Sequence, residues 1–575
     1  MRHWTHFVAW IAALALVVSA LGRKVETVSA VTHAVSLVDE PVKQIPAEPP
    51  PLGWSSWNSF SNTINSEIVR LQAKAMMDSG MKKAGYRYIN IDEGWWLGER
   101  DASGNIVVVA KQWPALQPGE RDGDMSNIVR YIHSLGLNAG IYTDAGEAGC
   151  GFYGPDLGPP MAHTGSEGHY EQDFLQFAQW GFDYVKVDWC GGNKENLDPF
   201  VQYAEIARAV DRAEKLTNHR LYLSICNWGN NSPWTWAPGV AGVQADIWRT
   251  SGDIVAPIVA NSPNASRRAE FKNVLDNFDQ GIHPEGQHTG YYNDPDMMVF
   301  GMAGLNDTQN RVHMSLWAIS GAPLLVGADL TKLSTAQMAL LTNPDVLAID
   351  QDALGLQGVK VNERGKDLQT WCKVLASPGT RAVLLLNRGA TVAEMSLGWS
   401  EIGLAESTAS VKDVWTGKEF GPAPSFSSRV AAGDAVLLLV HGSDAKTTSY
   451  EASANSTQLL GGAMLESCKA CPSGHSVALG GEREVRFRVA AIQRPTFVRI
   501  DYRNSAAQPV VAQLRAKGHT ATNILFPPTA ADGGLGDVIV EVEPEPLGQL
   551  STLVFSARNA VGPELESIST FTIGK

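Results

Sequence analysis

At 575 residues the chain exceeds one ordinary domain, so a core domain of about 300 residues with one or two smaller modules is expected. A net charge of −14 argues against a nucleic-acid or anionic-membrane partner and suits a soluble exported protein. Its 44% hydrophobic and 18% charged residues are ordinary for a globular chain, but its 17 tryptophans supply flat apolar faces of the kind on which sugar rings stack.

Residues 1–22 read as a secretion signal. Arg2 and His3 precede an uncharged apolar run from Phe7 to Gly22, and the small residues Ser19 and Ala20 lie near its end. At roughly 16 residues the run is short for a membrane span, so a secreted or periplasmic protein without integral membrane association is expected. A polar, Pro-rich leader follows over 23–51. From 52 to 354 short apolar runs alternate with helical-period stretches. Runs around Gly53–Trp54, Tyr86–Asp92, Asn138–Tyr142, Tyr184–Asp188, Leu221–Cys226, Ala245–Trp248, Tyr291–Asp294 and Pro323–Val326 predict eight strands. Between them, sets such as Met125, Ile128, Val129, Ile132 and Leu135 recur three or four apart, as on one helix face. Gly85, Gly136 and Gly181 follow three such helices at the position where a left-handed residue ends a helix.

Eight strands alternating with helices predict an α/β fold, a (β/α)8 TIM barrel. No GxGxxG follows the first strand, which disfavours a dinucleotide-binding sheet. Past residue 355 the helical period disappears, and 355–443 reads as an antiparallel β-sandwich domain. A linker around Gly442–Ser449 leads to a further β-sandwich module over 450–575. Of six cysteines, Cys468 and Cys471 form an isolated CxxC. Zinc would need a second pair, so a local disulfide or two free thiols is expected there, and no metal or cofactor.

Active sites of such barrels form at the C-terminal strand ends. Here those ends carry Trp57, Asp92, Glu93, Tyr142, Asp144, Lys186, Asp188, Asn227, Trp228, Arg249, Asp253 and Asp296. A barrel built for stability alone needs no such set. Two carboxyl groups facing one another suit glycosidic cleavage, one ionised to attack C1 and one protonated to help the leaving oxygen depart. Lys186 and Asp188 stand two apart on a strand and so share a face, which lets the cation favour ionised Asp188. Asp253 lies past its strand on a glycine-containing turn.

The ordered segments GWSSWNSF, YINIDEGWW, GIYTDAG, DYVKVDWCGG, SICNWG, WRTSGDI, YYNDPDMMVFG, ISGAPLLVGADL and LTNPDVLAIDQD resemble the motifs of the α-galactosidases of glycoside hydrolase family 27, over roughly residues 50–440. The resemblance implies a retaining, exo-acting hydrolase of terminal α-galactosyl residues on oligo- or polysaccharides. It implies Asp188 as nucleophile and Asp253 as general acid/base. Trp57, Asp92, Glu93, Tyr142, Lys186, Asn227, Trp228, Arg249 and Asp296 would form the sugar subsite, and Cys150 and Cys190 would form a disulfide beside the nucleophile. Three positions depart from the family pattern. Glu93 stands for an aspartate, Gly94 for a cysteine, and Asn227 for a glutamate near the sugar's 2-substituent. Because glutamate is one methylene longer, Glu93 would crowd C6 of galactose, which raises β-L-arabinopyranosidase as the alternative and an L-arabinose-containing substrate with it. A non-catalytic sugar-binding scaffold would lack one of the two aspartates, and both are present. The opening of the third region, YEASANSTQLLGGAMLESCKACPSGHSVALGG, resembles family 35-type carbohydrate-binding modules. Glu451 fits their calcium-binding pattern, but Ser453 stands where a second acid is usual.

Overall fold

The computed structural model describes residues 47–150, 164–239, 243–255, 268–516, 519, 521–529, 534–545, 550–559 and 561–574. The apolar run Phe7–Gly22 and most of the leader lie outside the described residues. No helix among those described is long and apolar enough to cross a membrane.

Eight parallel strands form the barrel: β1 (Leu52–Ser55), β2 (Tyr88–Asn90), β3 (Asn138–Asp144), β4 (Tyr184–Asp188), β5 (Tyr222–Cys226), β6 (Ile247–Arg249), β7 (Tyr292–Asp294) and β8 (Leu324–Val326). They are hydrogen-bonded in the order β8-β1-β2-β3-β4-β5-β6-β7. Past β7 the chain bridges Met298 to Val326, where the Met298 N–H donates to the Leu325 carbonyl (2.6 Å) and the Gly327 N–H to the Met298 carbonyl (2.8 Å). That contact ties the segment just past β7 to β8 and closes the ring. Several strands stop short of their sequence-predicted ends. At β2 the reason is visible, since the Asp92 N–H donates to Ser56 Oγ (2.9 Å) instead of to a neighbouring strand.

The two-residue strand period divides the barrel residues by environment. Ile89, Ala139, Ile141, Val185, Val187, Leu223, Ile225 and Trp248 pack in one core with the surrounding helices. The residues between them give a separate cluster of Tyr88, Tyr184, Tyr222, Ile247 and Tyr292, in which the Tyr184 and Tyr222 rings stack at 5.6 Å. Along β4 the same face then carries Lys186 and Asp188. The polar groups of the barrel mouth therefore stand on an aromatic floor that excludes water from below.

The helices show the predicted faces. In α1 (Ser126–Ser134) Ile128, Val129 and Ile132 are buried. In α2 (Tyr170–Trp180) Tyr170, Phe174, Phe177 and Ala178 are buried, and Gly181 ends the helix at φ 89°. In α3 (Pro199–Thr217) the buried set includes Tyr203, Ile206, Ala207 and Val210.

Beyond the barrel, a six-stranded antiparallel sheet is built from Val359–Arg364, Leu368–Val374, Thr380–Asn387, Asp434–His441, Ala409–Asp413 and Glu419–Ala423, with a two-stranded companion of Ala393–Gly398 and Ser425–Val430. The third region forms two further antiparallel sheets. In its strand Gly536–Val542, Val538, Val540 and Val542 enter the module's own core, while Ile539 joins Phe497 and Ile573 in the core of the preceding domain. His288 Nε2 lies 3.0 Å from the Ile539 carbonyl, and Thr522 Oγ1 donates to the Glu285 carbonyl at 2.9 Å. The connection between the two β-domains is held as well: Gly442 N–H donates to the Gly379 carbonyl (3.0 Å), and Arg381 donates to Asp444 Oδ1 (2.7 Å). The third module is thus packed against both of its neighbours.

Candidate active site

The strand register assembles the mouth. β3 and β4 pair Tyr142 with Lys186 and Asp144 with Asp188, and β4 and β5 pair Asp188 with Cys226. Lys186 Nζ donates to Asp92 Oδ2 at 2.9 Å, lies 3.7 Å from Asp188 Oδ2, and stands 5.2 Å from the Tyr142 ring centroid. Burial opposes the Lys186 charge, but Asp92, Cys226 and Asp188 outweigh it and raise its pKa well above the usual lysine value. Burial pushes the Asp188 carboxyl up, Lys186 pulls it down, and the charges of Asp253 and Asp92 push it up again. Asp188 Oδ1 also accepts the Trp189 N–H at 3.0 Å.

A second group surrounds Arg249. Its NH2 donates to Asp253 Oδ1 (3.1 Å), lies 3.1 Å from Asp296 Oδ2, and its NH1 reaches Cys226 Sγ (3.5 Å). Asp296 has φ 99°, a left-handed conformation that non-glycine residues rarely hold. It is held there by the Ile254 N–H on Oδ2 (2.8 Å) and by its own N–H on Asp294 Oδ1 (2.9 Å). Burial raises the Asp296 pKa and Arg249 opposes the rise. The Asp253 side chain is 47% exposed, against 7% for Asp188, so of the two aspartates it is the one that meets solvent.

The remaining expected residues lie around these two groups. Trp57 begins the short helix Trp57–Phe60 just past β1. Asn227 and Trp228 follow β5, where Asn227 Nδ2 donates to the Asn230 carbonyl (2.6 Å) and Trp228 sits at φ 57°. Glu93 is 1% exposed and its carboxylate packs against Gly149, where an added Cβ would lie 2.8 Å from Glu93 Oε1 and 2.9 Å from the Trp96 ring. Cys150 and Cys190 are joined in a disulfide, and so are Cys468 and Cys471. The sequence reading overlooked Cys226, Asp294 and Trp96, whose ring is 5.5 Å from that of Tyr142. The sequence carried a signal for the first, since Cys226 ends a predicted strand and stands two and four residues past Ser224 and Tyr222 on one face.

The described residues at this mouth bring a cation-bridged carboxylate pair together with an exposed aspartate on an arginine. Residues 49–352 match the model described as Alpha galactosidase A, and residues 365–440 match the Alpha galactosidase C-terminal beta sandwich domain. The chain belongs to the alpha-galactosidase family of glycoside hydrolases. The family member is 36% identical to Alpha-galactosidase A of Cellvibrio japonicus over 72% of its own length and 96% of that protein. It is 35% identical to an Alpha-galactosidase of Oryza sativa subsp. japonica over 68% of its length and 84% of the relative. Its fold matches that of alpha-galactosidase I from Mortierella vinacea with a TM-score of 0.59 at 28% identity, covering 70% of this chain and 99% of that one.

Proposed function

We propose that this hydrolase cleaves terminal α-D-galactosyl residues by double displacement, with Asp188 as nucleophile and Asp253 as general acid/base. The observation that carries the assignment is Lys186, whose ammonium bridges Asp92 at 2.9 Å and Asp188 at 3.7 Å. Asp188 sits at a buried strand end where its charge is costly, and the neighbouring cation offsets part of that cost. A carboxylate so held can attack C1 and form a glycosyl-enzyme, expelling the aglycone oxygen as it takes the proton of Asp253. Asp253, exposed and in contact with Arg249, then takes a proton from the water that releases galactose. Asp92 and Lys186 are placed to hydrogen-bond sugar hydroxyls, with Trp57, Tyr142, Trp228, Arg249 and Asp296 around them and Asn227 toward the 2-substituent. The N-terminal apolar run supports export, and the resemblance of the third module's opening to carbohydrate-binding modules supports binding to a polysaccharide carrier of the substrate.

The β-L-arabinopyranosidase alternative rested on Glu93 crowding C6, and it is not favoured. The relatives at 35–36% identity are alpha-galactosidases, and the Glu93 carboxylate packs toward Gly149 in the loop after β3.

The assignment is tested with two variants on two substrates. Asp188→Ala should lose turnover on both raffinose and p-nitrophenyl α-galactoside. Asp253→Ala should lose far more on raffinose, because only the poor leaving group needs its proton. Equal losses on the two substrates would remove Asp253 from the acid role.

A further inference from the structure

Asp144, at the end of β3, has no part in that mechanism, yet its carboxylate is fully occupied. It is 0% exposed. Oδ1 accepts the N–H groups of Gly146 (2.7 Å) and Gly191 (3.0 Å), and Oδ2 accepts that of Cys190 (2.7 Å). Two of these donors lie only two and three residues beyond Asp188, and Trp189, between Asp188 and these donors, donates its own N–H to the Asp188 carboxylate. The two loops meet closely, since a Cβ on Gly191 would come 2.4 Å from the Ala148 carbonyl oxygen. Burial and the charge of Asp188 push the Asp144 carboxyl well above the usual range, while the three N–H groups favour its anion. Neither serine nor asparagine offers two acceptor oxygens for these N–H groups, and a buried anion beside a second carboxylate is a costly way to close a turn.

We propose that Asp144 is a positioning residue for Asp188, acting as a clamp on the backbone of 189–191 in parallel with the Cys150–Cys190 disulfide. The proposal rests on Asp188 being the nucleophile. Asp144 aims the carboxylate by holding the segment that follows it. The disulfide joins the same two loops through the Cys190 side chain, whereas Asp144 holds the backbone N–H groups next to Asp188, so loss of the disulfide alone leaves that backbone clamped.

The test uses the full-length enzyme and p-nitrophenyl α-galactoside. Asp144→Asn keeps the shape but turns one acceptor into a donor facing an N–H. It should lower kcat by about 10- to 100-fold, as misplacement of a reacting group does, with KM nearly unchanged. A merely structural role would lower the melting temperature and leave kcat per titrated site unchanged, and that result overturns the proposal. The Cys150→Ser/Cys190→Ser variant, which leaves Asp144 intact, provides the second measurement. It should keep most of the wild-type kcat, and a collapse of kcat there would overturn the parallel clamp even if Asp144→Asn failed to fold. Activity surviving in Asp188→Ala would sink the nucleophile assignment itself, whereas a dead Asp188→Ala beside a fully active Asp144→Asn would sink the positioning role alone.

Discussion

Lys186 touches both Asp92 and Asp188, and its effect on Asp188 can be read from a pH profile. Burial holds the Asp188 carboxyl above the ordinary aspartate range, and Lys186 is the principal group opposing that rise. A raised carboxyl protonates early as pH falls, so an enzyme that needs the anion loses activity early too. Lys186→Met removes the opposing cation, and the acid limb of kcat/KM should move to higher pH by about 1–3 units, the usual influence of a cation at this range. An unmoved limb in a folded variant would mean that Lys186 does not govern the ionisation of Asp188. The pairing of these two residues was legible in VKVD, because strand neighbours two apart share a face. Asp92 as the third member was legible as a strand-end acid and through the motif YINIDEGWW, but its bond to Lys186 was not. It lies 94 positions from Lys186, and the sheet must set its strand next but one to β4 to bring them to 2.9 Å.

The barrel strands differ in how much of themselves they announced. β3 and β4 carry enough consecutive apolar and β-branched residues to be located from sequence. β6, β7 and β8 have three residues each, and the closing contact at Met298 lies outside any strand. Such short pieces become strands because their neighbours supply the ladder. Gly140 shows how tightly the elements fit. A Cβ there would lie 2.1 Å from Asn90 Oδ1 and 3.0 Å from the Tyr184 ring, so β3 passes β2 and β4 only with glycine at this place. Gly140→Ala should destabilise the fold by about 1–3 kcal/mol through overpacking, seen as a lower melting temperature. A melting temperature equal to wild type would show that Asn90 moves aside at no cost.

The seam between the barrel and the third module gathers titratable groups from both sides. The barrel contributes His283 and Glu285, 3.4 Å apart, and the module contributes Glu541, Glu543 and His519, the last two 3.8 Å apart. Trp234 stacks on His283 at 3.4 Å. Burial raises the Glu541 carboxyl well above its ordinary value, and Glu543 and Glu285 add to the rise. Burial and Glu285 likewise raise Glu543, with His519 and His283 opposing. Carboxyls with raised pKa in the docked state bind more protons there than when the seam is open, so docking strengthens as pH falls and weakens toward neutral and alkaline pH. Glu541→Gln, which is neutral at every pH, should raise the melting temperature at pH 8 and change it little at pH 5. An equal shift at both pH values would show that docking does not raise the Glu541 carboxyl.

Composition, two periodicities and a string of motifs sufficed for the family, a (β/α)8 barrel and the β-modules that follow it, and they predicted the export signal and the aspartates at residues 188 and 253 on which the proposed function rests. Period and motif are properties of neighbouring residues, so they survive in the sequence itself. The direction of Glu93, the joining of Cys468 to Cys471, the three-way clamp on Asp144 and the docked face of the third module were decided only in three dimensions. Each depends on what stands opposite a side chain, and that partner is supplied by distant segments: Ile539 meets His288 across 251 positions. In Gly536–Val542 the alternation of Val538, Val540 and Val542 with Ile539 and Glu541 marks a strand with two buried faces, but the barrel and its neighbour domain determine what covers the second one.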